Sequence, residues 1–198
     1  MFSLEDLLGQ QQGNEAANQI SQSLGANPTV TNSAIQMALP MILSALANNT
    51  QQPQGAESLN NALQQHDGGI LDNLGSFLGG GNNQAANNDG IGILGHIFGQ
   101  KQGAVAHEVS QKSGLDIGQV AQLLITLAPI VMGFLGKQKQ QQNLDAGGLA
   151  SMLGEQQQQI QSSGNPMIDM FSGMLDKDRD GSSMDDLASM AASYFQKR

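Results

Sequence analysis

One thirty-residue pattern occurs twice in this chain, and it limits the fold more than any other feature. ISQSLGANPTVTNSAIQMALPMILSALANN begins at Ile20 and VSQKSGLDIGQVAQLLITLAPIVMGFLGKQ at Val109, so the two align without a gap at an offset of 109 − 20 = 89 positions. Ser21 falls on Ser110, Gln22 on Gln111, Gly25 on Gly114, Pro40 on Pro129 and Leu46 on Leu135. Each copy reads as a polar helix end stopped by glycine, a short link, and a long apolar helix with proline near its middle. Glycine just past a helix is the usual left-handed cap. An interior proline removes a backbone donor, so it is expected to kink the helix or start a new one. Two similar halves facing one another is the architecture this duplication predicts.

Each copy is followed by a polar spacer and a small glycine-framed apolar element, GGILDNLG at residues 68–75 and GGLASMLG at residues 147–154. A third relative, DGIGILGHIFG, occupies residues 89–99. Their apolar residues recur every three to four positions, which predicts short helices packed on the larger ones. GGGNNQAANND, residues 79–89, reads as a flexible linker, and the glutamine runs at 138–142 and 156–159 read as frayed helix or loop. No stretch alternates with a period of two, so strands are not expected. The expected fold is all-α and multihelical, with internally duplicated helical halves and a short C-terminal helix–loop–helix. Residues 1–82 form the first repeat, 83–160 the second after a Gly/Asn-rich linker, and 161–198 a C-terminal lobe that joins the repeats in one compact unit.

Composition narrows the chemistry. With 198 residues, 39% of them hydrophobic, the chain can bury a substantial core, but only 4% are aromatic and Trp is absent. Packing therefore rests on aliphatic side chains and 10 Met, which fill irregular gaps. The absence of Cys excludes a disulfide scaffold, thiolate catalysis and Cys-ligated metal. A net charge of −9 opposes nucleic-acid binding, which needs clustered Lys and Arg to neutralise phosphates. MFSLEDLLGQQQG at the N-terminus lacks the basic region and cleavage site of a signal peptide and reads as a short amphipathic helix with Phe2, Leu4, Leu7 and Leu8 on one side. A cytoplasmic location is expected. The longest apolar run, residues 123–135, is shorter than the ~20 residues that span a bilayer, which favours a core helix over membrane insertion.

The apolar helices read as the two central core helices. Met37, Leu39, Met41, Ile42 and Leu46, with Leu123, Leu124, Leu127, Ile130, Val131 and Leu135, cover more than one helix face. A helix apolar on nearly all sides must be enclosed, and self-association is one way to enclose it.

Little else carries chemistry. Gly90, Gly92 and Gly95 have dinucleotide-fingerprint spacing, but a linker precedes them where that motif needs a buried strand, so they read as a glycine-bracketed short helix. His66, His96 and His107 are isolated, and no G-x-S-x-G elbow occurs. The Asn48-Asn49-Thr50 sequon has no meaning without secretion.

The exception is LDKDRDGSSMDDL, residues 175–187. Calcium takes six to eight oxygen ligands, and the EF-hand loop supplies them from alternate positions with glycine at the sixth. Counted from Asp176, Asp178 is third, Asp180 fifth and Gly181 sixth, and Ser182 offers its backbone carbonyl as seventh. The twelfth residue is Leu187 where a bidentate Glu belongs, so Asp185 or Asp186 would close a shortened loop. Apolar residues at 168, 170, 171 and 174, and at 184, 187, 190, 191, 194 and 195, predict a helix on either side. Ser183 with Asp186 also forms a capping box, but capping gives no reason for three alternating Asp, whose mutual repulsion a cation relieves. The expected metal ligands are Asp176, Asp178, Asp180, Ser182, Asp185 and Asp186. Calcium is expected ahead of magnesium.

The duplicated apolar helices with central Pro, the GG-I/L-x-x-x-LG elements and the closing D-x-D-x-DGS-x-x-DDL resemble the bacterial YidB-like proteins, domain of unknown function 937. The resemblance runs from about Leu4 to Phe195. It implies an all-helical bacterial protein and brings no catalytic residues with it. The reading that follows is a non-enzymatic structural or interaction module with a calcium-binding-like loop, self-association or a protein partner, and no nucleic acid. An envelope- or membrane-associated protein using the apolar helices is the alternative, and a hydrolase with an unrecognised site is a weaker one.

Overall fold

The computed structural model describes residues 3–66, 68–79 and 84–162, and among them every regular element is a helix. In order these are α1 (Leu4–Leu8), α2 (Gln10–Leu24), α3 (Pro28–Thr50), α4 (Pro53–Gln65), α5 (Gly69–Asp72), α6 (Leu74–Gly79), α7 (Gln84–Phe98), a 3-10 turn (Gly99–Lys101), α8 (Gln102–Ser113), α9 (Ile117–Gln142) and α10 (Ala146–Ser162). Buried residues from Leu4 to Ile160 make one hydrophobic cluster.

The links into α3 and α9 are set by local chemistry. α2 ends at Gly25, whose φ of 61° is left-handed; the Gly25 N–H donates to the Gln22 carbonyl and the Ala26 N–H to that of Ser21, closing a Schellman cap. The Asn27 side chain then accepts the Thr29 N–H, and Pro28 takes the first helical position, where its missing donor costs nothing. α8 also ends at a left-handed glycine, Gly114 with φ 83°, but in the simpler αL cap, with its N–H donating to the Ser110 carbonyl. Asp116 and Gln119 form a reciprocal capping box at the start of α9.

Neither proline starts a new helix. α3 runs for 23 residues through Pro40 and α9 for 26 through Pro129. An interior proline costs about 3 kcal/mol, whereas each fully buried Leu or Ile contributes roughly 1.5–3 kcal/mol. Leu39, Ile42 and Leu43 flank Pro40, and Leu127, Ile130 and Val131 flank Pro129, all buried to within 2% exposure. Burial outweighs the proline, and the helix continues.

Every residue from Ala38 to Ala47 is buried, as is every residue from Leu127 to Gly133. These stretches have no solvent face, and the enclosure they require comes from the chain itself. α2 and α8 each pack on both α3 and α9, α4 packs on both as well, and α10 lies on α3 and α4. The outer helices are amphipathic in the ordinary way: α2 buries Gly13, Ala16, Ala17 and Ile20, which share one face.

Three segments differ from the sequence-based expectation. Residues 84–89 of the stretch read as a linker belong to α7, while 80–83 lie outside the described residues. GGLASMLG is not a separate short helix, because it forms one 17-residue helix, α10, together with the glutamine run at 156–159. Gln138 to Gln142 close α9, which stops at Asn143 in a left-handed conformation with φ 50°. Glutamine is a good helix former, and nothing in either run competes with the helix. GGILDNLG is divided between two short helices, residues 69–72 in α5 and residues 74–75 at the start of α6; α5 docks on α9 where Gly133 lacks a side chain, and a Cβ there would stand 2.5 Å from Ile70 Cγ2.

Candidate functional site

Asp176, Asp178, Asp180, Ser182, Asp185 and Asp186 all lie outside the described residues, as do the helices expected on either side of them. Among the described residues, no group of three or more His, Cys, Asp or Glu comes together.

The glycines with fingerprint spacing were expected to bracket a short helix; they lie instead in the interior of the 15-residue α7. Gly90, Gly92 and Gly95 belong to α7, and only Gly90 has a packing role: a Cβ there would run into the Ile125 carbonyl of α9, whereas Gly92 and Gly95 face open space. The three histidines lie apart in the sequence and on different elements. His66 caps the end of α4, His96 is exposed on α7, and His107 on α8 is hydrogen-bonded to Gln111 at 2.9 Å.

The polar side chains that reach across the fold serve its joints. Gln119 accepts the Asp116 N–H at 3.1 Å and donates to the Leu24 carbonyl at 3.0 Å, so one amide caps the start of α9 and satisfies the end of α2. Asn49 Nδ2 donates to the carbonyls of His96 and Ile97 at 3.2 and 3.0 Å, closing the C-terminal end of α7 on α3. Gln157 Nε2 donates to Asn48 Oδ1 at 2.9 Å, tying α10 to α3. Lys139 Nζ donates to the Asn60 carbonyl at 3.3 Å between α9 and α4. Asn48 and Asn49, two residues of the sequon, are thus helix connectors. Sequence reasoning missed these roles; the only signal was the position of paired amides at the end of an apolar helix.

Two surface features remain. A cleft of about 220 Å³ opens between α1, α2 and α3, lined by Glu5, Asp6, Gly13, Asn32 and Gln36 among others. Asp6 is already engaged there, accepting the Ser3 N–H at 2.8 Å. Among the described residues, the large hydrophobic residues left exposed are Ile91 at 50% and Ile117 at 49%. They stand on α7 and α9, which pack together: Ile91 follows Gly90 at the contact with Ile125, and Ile117 precedes Ile125 by two turns of α9.

α3 and α9 are also long and apolar enough to cross a membrane, with mean hydropathies of 1.4 and 1.8 over their most apolar windows, and 72% and 56% of those windows are buried in the fold. The run at 123–135 was expected to be too short; the helix that carries it is not.

The sequence matches the family described as "Bacterial protein of unknown function (DUF937)" over residues 6–138, from α1 almost to the end of α9. No curated protein and no solved structure matches the chain. The family match covers both proline-containing helices and most of the helices that enclose them, and the chain belongs to this bacterial family, DUF937.

Proposed function

We propose that this protein is a non-enzymatic structural and interaction module that associates with a second copy of itself. The observation that carries the reading is the use of its long-range polar side chains: Gln119, Asn49 and Gln157 each join one helix to another, so the polar groups held in place by the fold serve its architecture. Because the chain encloses its own central helices, the large apolar side chains left for a partner among the described residues are Ile91 on α7 and Ile117 on α9. Burying the exposed half of two such side chains favours association by roughly 0.8–1.5 kcal/mol each before the cost of immobilising the partner, which suits a weak, concentration-dependent dimer. Size-exclusion chromatography with light scattering tests this. The expected result is a mass that rises with concentration and falls back in Ile91→Ser/Ile117→Ser; a strict monomer at high concentration overturns it.

The two halves are further read as copies of one helical unit. Left-handed glycine at Gly25 and Gly114, a side-chain cap at Asn27 and Asp116, and an interior proline in each long helix support this. The segment from Asp176 to Asp186 is read as a cation site, calcium before magnesium, on the strength of its alternating Asp and the glycine at the sixth position. Titration calorimetry that shows no heat at millimolar calcium removes that part of the proposal.

A second reading, association with a membrane, is favoured by the length and hydropathy of α3 and α9. Cell fractionation separates the two readings, since recovery in the soluble fraction without detergent dismisses the membrane.

A further inference from the structure

We draw no further inference here: the strongest candidate, the cleft between α1, α2 and α3 lined by Glu5, Asp6, Asn32 and Gln36, rests on two acidic side chains with no second feature that points to a ligand.

Discussion

The backbone carbonyl of Ile125 lies against Gly90 of α7, and Ile125 is the residue four positions before Pro129. Proline has no N–H, so this is the one carbonyl in the middle of α9 that lacks its usual intrahelical donor. Gly90, without a side chain, lets α7 come close enough to cover it, an approach of the kind that brings Cα–H groups onto carbonyl oxygens. The irregularity in one helix and the glycine in the other occupy the same point of contact.

Gly90→Ala is therefore expected to destabilise the protein by roughly 1–3 kcal/mol, because the added methyl forces the two helices apart. Gly92→Ala on the same helix meets open space and is expected to be neutral or to stabilise by up to about 1 kcal/mol through helix propensity. Urea unfolding of both variants checks the contrast, and equal effects would refute the close-contact argument.

Gly25→Ala and Gly114→Ala isolate backbone conformation from packing, since a Cβ at either position meets nothing within 4 Å. Each is expected to cost about 1–2 kcal/mol, the usual penalty for a side chain in the left-handed region. The two losses should agree within about 0.5 kcal/mol and add in the double variant. Thermal melts read this directly, and a loss at one position only would deny the two caps the same role.

Calcium is expected to raise the melting temperature of the full chain. By linkage, a ligand at 100 times its Kd stabilises by about 2.7 kcal/mol, which for a chain of this size is roughly a 5–10 °C shift. Asp178→Asn with Asp180→Asn should abolish the shift and leave the melt in chelator unchanged. Melting that ignores both calcium and chelator returns Asp185 and Asp186 to the role of helix-capping acids.

What the sequence revealed and what it hid follow from how local each signal is. Gly25 and Gly114 act within a few residues of themselves, and the helix ends they mark were readable directly. Pro40 and Pro129 were half-readable. Their local effect is to break a helix, but Leu39, Ile42, Leu127 and Ile130 are buried by α2, α4, α8 and α10, and that enclosure depends on residues far away in the chain. Residues 84–89 failed for the same reason: Asn87 and Asn88, next to the glycines at 79–81, argue locally for a linker, while α7 is held by its packing on α9. The joints made by Asn49, Gln119 and Gln157 span 47 to 109 positions, beyond the reach of any local pattern. The candidate metal ligands were the reverse case, legible as a compact motif but lying outside the described residues.

The all-round burial of α3 from Ala38 to Ala47 also has a temporal side. α3 ends at Thr50, and α10, one of the helices that cover it, begins at Ala146, so 146 − 50 = 96 positions of chain separate the apolar helix from that part of its cover. At roughly 5–20 residues per second of synthesis, the interval is on the order of five to twenty seconds. During it, the segment around Pro40 is a helix-forming apolar stretch without its final neighbours. Proline weakens such a stretch as a free-standing helix, so the residue that the finished core tolerates also lowers the helix content expected of the segment before α8 and α10 are made.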